Sequence, residues 1–112
     1  MRFAIPITGG MVSQHFGHCE QFALLDTDDG SNEIVKKQLV DSPEHQPGLL
    51  PPWLAQQGVS VVIAGGMGGQ AQMLFSQNNI KTVTGVGGND LEKIVKDYLQ
   101  GTLIAGDNTC DH

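Results

Sequence analysis

Short apolar runs alternate with polar, glycine-rich breaks along the chain, and the character of the pattern changes near residue 41. The apolar runs before that point predict three strands, over residues 3–7, 21–27 and 33–40. Asp29-Gly30 predicts an antiparallel hairpin between the second and third strands, because this dipeptide tolerates the positive φ of tight turns. Lys36 and Lys37 predict that the third strand is an exposed edge, where lysine discourages unwanted pairing.

Beyond residue 41, predicted helices and strands alternate. The strands fall over residues 59–64 and 80–83, and the helices fall within 49–57, after the glycines at 65–69, and over 89–99. The run at 59–63 is almost entirely β-branched, which is typical of a strand covered on both faces. We therefore expect it to lie inside a sheet, between the first strand and the strand at 80–83. Asn89 is the expected cap of the last helix, and Gly101 is its expected end.

The resulting order, β-β-β-α-β-α-β-α, predicts an α/β fold. An antiparallel opening followed by strands that alternate with helices implies one mixed five-stranded sheet flanked by helices. At 112 residues the chain is expected to form a single domain over 1–112, with 103–112 as a loose tail.

The charge balance limits the partners. Twelve acidic residues against six basic ones give a net charge of −6, which argues against nucleic acid and against an anionic membrane surface. No apolar run approaches the ~20 residues of a membrane span, and the chain enters a strand-like run at once rather than a signal-like segment. Two cysteines make no disulfide framework. These features favour a cytoplasmic protein.

The soft metal ligands all fall in predicted loops or in the tail. They are His15, His18, Cys19, His45, Cys110 and His112. Imidazole and thiolate bind zinc, copper, iron and iron–sulfur species, so the first three, within one short loop, suggest a soft-metal site. The alternative is that Cys19 is a small buried apolar residue and the histidines are ordinary loop residues. Two cysteines cannot supply four thiolates, so a bound cluster would bring its own sulfide.

Glycine is about twice as frequent as the usual ~7%, and it concentrates in two segments, at 65–69 and at 85–88. Each segment follows a predicted strand and precedes a helix, so both are expected at one edge of the sheet. Backbone N–H groups there suit an anion, whereas a hard cation would want carboxylates that this edge is expected to lack. The alternative is that these glycines only turn corners. Residues 66–71 fit GxGxxA weakly, and no phosphate-binding P-loop motif occurs.

Several motifs, in order, resemble the dinitrogenase iron–molybdenum cofactor biosynthesis family, the small NifX/NifB-C-terminal-like proteins. They are Ile5-Pro6-Ile7, the Ser-x-His-Phe-Gly loop within 12–18, His45-Gln46-Pro47-Gly48, residues 50–54, residues 61–68, and an Asn-x-Cys-x-His ending at 108–112. The resemblance covers nearly the whole length. It implies a ribonuclease-H-like fold used for carriage rather than catalysis, and an anionic iron–molybdenum–sulfur cofactor, a precursor or a related molybdenum, copper or iron sulfide cluster as the cargo.

With this resemblance, the expected metal ligands are His15 and His18, with His45, Cys19 and Cys110 as additional candidates. The expected cradle for the cluster comprises Phe16, Gly17, Gly65, Gly66, Met67, Gly68 and Gly69. Cluster-assembly or acceptor proteins are the expected partners. Two other functions stay open at this stage: a metal-free regulatory or adaptor module that binds a partner protein, and, less favoured, a nucleotide- or phosphate-binding enzyme.

Overall fold

The computed structural model describes residues 1–14, 16, 19–43 and 49–103. These contain six strands and three helices: β1 (Arg2–Thr8), β2 (Met11–Val12), β3 (Gln21–Thr27), β4 (Ile34–Asp41), α1 (Leu50–Gln56), β5 (Val61–Ile63), α2 (Gly69–Gln77), β6 (Lys81–Val83) and α3 (Leu91–Gln100). The strands form one mixed sheet in the order β4-β3-β1-β5-β6, and β2 pairs with β1. The predicted α/β class is confirmed.

The parallel half of the sheet follows the sequence prediction. β5 runs parallel to β1 on one side and to β6 on the other. Val61 and Val62, at the middle of the β-branched run, are 2% and 0% exposed. The prediction of an inner strand between the first strand and the strand at 80–83 is therefore confirmed.

The predicted number of five strands is wrong, because the segment expected to be a loop after the first strand contains β2. Met11 and Val12 pair antiparallel with Thr8 and Ile7 of β1. Gly9 and Gly10 make the turn with φ of 62° and 78°, which glycine adopts without strain. A strand of two residues is too short to show alternation, and only its pairing with β1 defines it.

The predicted hairpin between β3 and β4 is confirmed, and its turn is built differently. Asp28 holds the turn because its carboxylate accepts hydrogen bonds from the backbone N–H and the hydroxyl of Ser31, both at 2.9 Å. The residue with positive φ is Asn32 (57°) rather than Gly30. Lys36 and Lys37 are exposed on β4, which is an edge strand as expected.

Each face of the sheet carries its own core. Alternate side chains of β1, β3 and β5 pack on α3 on one face and on α1 and α2 on the other. The first core includes Phe3, whose ring meets that of Tyr98 edge-on at 5.4 Å. Leu103, at the start of the expected tail, packs partly buried against this core. Residues 104–112 lie outside the described residues.

The predicted carboxyl end of α3 is confirmed, and its predicted cap is not. Gly101 ends the helix with φ of 77°, as expected. At the other end the cap is Asp90, whose carboxylate accepts a hydrogen bond from the Lys93 N–H (3.2 Å), and the prediction of Asn89 is wrong. Aspartate and asparagine are both good caps, so the sequence pattern alone does not choose between neighbours. In the part of the chain that the structure describes, no helix has the length and hydropathy to cross a bilayer.

Candidate functional site

The carboxyl ends of the three parallel strands β1, β5 and β6 meet at one edge of the sheet, as in other sheets of this type. Three backbone segments leave the strands there: residues 9–16 after β1, 65–69 after β5 and 84–88 after β6. We call these segments the rim, with position 15 lying outside the described residues.

Two hydrogen bonds join the first segment of the rim to the second. The Gly65 N–H donates to the Ser13 carbonyl oxygen (3.1 Å), and the Phe16 N–H donates to the Gly66 carbonyl oxygen (3.0 Å). The expectation that the loop after the first strand and the 65–69 segment lie together is confirmed for the described residues. In the sequence, His15 falls between the two residues, Ser13 and Phe16, that make these hydrogen bonds.

The third segment is tied to both of the others. The Gly85 N–H donates to the Gly65 carbonyl (2.8 Å), and the Val12 N–H donates to the Gly88 carbonyl (2.9 Å). The three segments therefore form one hydrogen-bonded unit rather than three independent turns.

The first and second segments of the rim approach each other closely at Gly65. A Cβ built there would lie 2.8 Å from the Ser13 carbonyl oxygen and 3.1 Å from the Gln14 Cα, both of which are backbone atoms. The φ of Gly65 is not in the left-handed region, so close approach, and not an unusual dihedral, is what requires glycine here.

Two expected binding residues turn their side chains into the core. Met67 is 0% exposed. Phe16 is 5% exposed and packs between Phe22 and Phe75, with ring centroids 5.8 and 5.1 Å away. These side chains anchor the rim to the core beneath α1 and α2. Contact between Met67 or Phe16 and a bound group stays a prediction, and for Met67 it would involve the backbone.

Gly68 and Gly69 form the start of α2 at the rim. Gly68 occupies the cap position, has an extended backbone (φ −67°, ψ 157°) and supplies no side-chain hydrogen bond to the helix. Gly69 and Gln70, in the first turn, are exposed. The first N–H groups of a helix lack partners within it, so this turn offers donors and a positive dipole end to an anion.

Cys19 lies at the same end of the sheet, on the side of β1 away from β5. It is half-buried and packs against the core beneath α1 and α2. Burial raises the pKa of its thiol above the ordinary value, and hydrogen bonds to the Ser42 side chain and to backbone groups at Cys19 and Ile7 offset part of that rise. Both the apolar packing and the candidate role as ligand, set out from the sequence, stay open for this residue.

A carboxylate also lies at this end, contrary to the expectation that there would be none. The Gly9 N–H donates to Oε1 of Glu20 at 3.0 Å. Glu20 immediately precedes β3, and β3 runs antiparallel to β1. The start of β3 therefore lies beside the end of β1, and this signal in the order of strands could have predicted the position of Glu20. Within the described residues, no three side chains of the metal-ligating types come together.

The remaining expected site residues are His15, Gly17, His18, His45 and Cys110, and they lie outside the described residues. Their roles stay predictions. What the described part supplies is the backbone framework that precedes and follows His15 and the glycine segment bonded to it.

The fold and the rim define an α/β protein with two backbone segments joined at the carboxyl edge of a mixed sheet. The loop whose sequence contains His15 is hydrogen-bonded, through Ser13 and Phe16, to the glycine-rich turn after β5. Residues 1–101 match the family described as "Dinitrogenase iron-molybdenum cofactor". The chain belongs to this family, as the sequence motifs indicated.

Known relatives span nearly the whole chain. The uncharacterized protein MJ0580 of Methanocaldococcus jannaschii is 30% identical over 108 residues, which are 92% of this chain and 89% of that protein. The crystal structure of PH0822 is 28% identical with a TM-score of 0.86, and the match covers 97% of both chains. The apo form of the orange protein from Desulfovibrio gigas is 22% identical with a TM-score of 0.73 over 96% of this chain and 94% of that one, and it shows likeness of fold.

Proposed function

We propose that this protein is a non-enzymatic carrier or scaffold for an anionic metal–sulfur cluster. The cargo would be an iron–molybdenum cofactor, its precursor or a related molybdenum, copper or iron sulfide cluster. Membership of the iron–molybdenum cofactor family supports this class of cargo. We further propose that the fold is ribonuclease-H-like, that the protein acts in the cytoplasm, and that cluster-assembly or acceptor proteins are its partners.

The observation that carries the proposal is the hydrogen bonding of Ser13 and Phe16 to the Gly65–Gly66 turn. It brings the backbone on both sides of His15 against the segment that starts α2. A cluster held there would take imidazole ligands from His15 and His18, with Cys19, His45 and Cys110 as further candidates. Its sulfides would accept hydrogen bonds from N–H groups of the 65–69 segment.

The charge of the whole chain makes these local donors necessary. With a net charge of −6, the protein does not attract an anion by its overall field. The uncapped first turn of α2 supplies oriented N–H dipoles close to the rim. These dipoles act on an anion at a few ångströms, whereas repulsion from surface charges more than about 10 Å away is largely screened by salt. Soft imidazole and thiolate ligands favour sulfide-bound molybdenum, copper or iron over Mg²⁺.

The test is anaerobic loading of the apoprotein with isolated iron–molybdenum cofactor, followed by gel filtration, visible absorbance, and metal and sulfide analysis. The wild-type chain is expected to retain the cluster, and the His15→Ala/His18→Ala variant is expected to lose it. Lys81→Ala, an exposed change at the opposite end of the parallel strands, is the matched control and is expected to behave as wild type. The melting temperature of each apoprotein shows whether loss of retention is local.

Full retention by the double histidine variant would overturn the assignment of ligands. A wild-type chain that stays colourless, and instead isolates with a partner protein from its host, would overturn the carrier function in favour of the adaptor alternative.

A further inference from the structure

β4 forms one edge of the sheet, and among the described strands it carries the most exposed large apolar side chains. Val35 and Leu39 are 66% and 54% exposed. In the described part of the chain no strand pairs with the outer side of β4, and a long strand edge of this kind is a template for pairing with another chain, which proteins usually block or use.

The hydrogen bonding of the sheet identifies which groups of β4 face outward. Met1 and Thr27 exchange both of their backbone hydrogen bonds, at 3.1 and 2.9 Å, so odd-numbered residues of β3 point their N–H and C=O groups toward β1. Even-numbered residues of β3 therefore point toward β4, where their register partners are Lys36, Gln38 and Val40. The N–H and C=O groups of Lys37, Leu39 and Asp41 are left facing away from the sheet.

The side chains of these three outward-facing residues lie on one face. Lys37 and Leu39 stand opposite Leu25 and Ala23, which belong to the core beneath α3. Along the strand the order is positive, apolar and negative, with Lys37 and Asp41 each two positions from the central Leu39. Such a pattern is self-complementary when the strand is turned through 180°.

We propose that β4 pairs antiparallel with β4 of a second copy of this chain, about a two-fold axis at Leu39. In this register Leu39 meets Leu39 of the partner, and Lys37 meets Asp41 of the partner twice. The backbone groups of all three positions are then satisfied. Two side chains of opposite charge that lie directly across a strand pair stabilise it, and so do two apolar side chains.

The neighbouring registers lack this match. A two-fold axis at Lys37 sets two lysines opposite each other, and an axis at Gln38 sets Lys37 opposite Leu39. An axis at Val40 sets Leu39 opposite Asp41 and Lys37 opposite Pro43, so no pair of opposite charges forms. The lysines that discourage general pairing at this edge thus allow one register for a second copy.

The existing contacts of these residues are compatible with the dimer. Lys37 bonds to Glu92 at 3.0 Å, with both side chains more than a third exposed, and Asp41 accepts a 3.3 Å hydrogen bond from Gln21. An ammonium group has three donors, so Lys37 can bond to both carboxylates. Because the two β4 strands run in opposite directions, the two rims would face opposite ends of one continuous sheet and both would stay open. The dimer is therefore independent of cluster binding.

Sedimentation equilibrium of the apoprotein over a wide concentration range tests the proposal. The wild-type chain is expected to change from one-chain to two-chain mass, and added salt is expected to weaken the association. Lys37→Glu should raise the dissociation constant about tenfold or more, because two attractions become two repulsions. The Lys37→Glu/Asp41→Lys exchange should restore it. Lys36→Glu makes the same charge change at a residue whose backbone faces β3, and should leave the constant within about twofold.

Amide hydrogen exchange gives the register directly. The N–H of Leu39 should become protected as concentration rises, whereas the N–H of Gln38 should be protected throughout. A chain that stays a single copy at every concentration would overturn the proposal. So would a dimer that Lys37→Glu leaves intact, or one in which Leu39 exchanges freely.

Discussion

Gly65→Ala isolates the contact that holds the rim together. The new methyl group would lie 2.8 Å from the Ser13 carbonyl oxygen and 3.1 Å from the Gln14 Cα, and neither backbone atom can rotate away as a side-chain end could. The loop after β2 must move, and the hydrogen bond from the Gly65 N–H to Ser13 is stretched or lost.

The magnitude follows from three opposing contributions to the free energy of unfolding. Overpacking costs roughly 1–3 kcal/mol. The weakened hydrogen bond adds about 1 kcal/mol. Alanine restricts the unfolded chain more than glycine does, which returns about 0.4–1 kcal/mol because the φ of Gly65 is one that alanine adopts. We expect a net loss of about 1–3 kcal/mol, or a melting temperature lower by about 4–12 °C.

Urea unfolding at neutral pH measures this loss, and Gly87→Ala is the matched control. Gly87 lies in the third segment of the rim, its φ is not left-handed, and a Cβ there would meet no atom within 4 Å. The control should stay within about 0.5 kcal/mol of wild type or gain slightly. Equal stabilities for the two variants would refute the reasoning that close approach requires glycine at position 65.

Three further predictions concern the stability of the fold, at the end of the sheet away from the rim and at the rim itself. Arg2 donates to both carboxylate oxygens of Asp26, at 2.6 and 3.1 Å, and mainly through these bonds lowers the pKa of Asp26. Asp26→Asn should therefore lower the free energy of unfolding by about 1–2 kcal/mol at neutral pH. Urea unfolding should show this difference vanishing as the pH falls through the lowered pKa, because the wild-type carboxylate is then protonated, and a difference independent of pH would contradict the prediction. Asp90→Ala should cost about 1 kcal/mol and Asn89→Ala almost nothing, and thermal unfolding that ranked them the other way would contradict the observed cap of α3. Phe16→Ala should cost roughly 3–5 kcal/mol by the same measurement, since its ring is buried, and a loss below about 1 kcal/mol would mean that the ring does not anchor the rim.

The sequence by itself determined the class of fold, the inner strand and the edge strand. A β-branched run such as 59–63 buries its side chains only where both faces of the strand are covered. The adjacent Lys36 and Lys37 keep their charges hydrated only on an exposed edge strand. The same local logic located the rim, because loops that follow parallel strands emerge at one edge of a sheet. Gly101 likewise announced the end of α3 through its conformational freedom.

Tertiary structure decided what depends on a second segment of chain. β2 forms because Met11 and Val12 pair with Thr8 and Ile7 of β1, and a segment of two residues is too short for its hydrophobic pattern to predict a strand. Gly65 is needed because Ser13 passes within contact distance, which no pattern near residue 65 records. Phe16 sits in a motif that suggests a binding loop, yet Phe22 and Phe75, from other elements, enclose its ring. Local sequence encodes the conformational preference of each segment, whereas the use of a side chain is settled by the residues that folding brings against it.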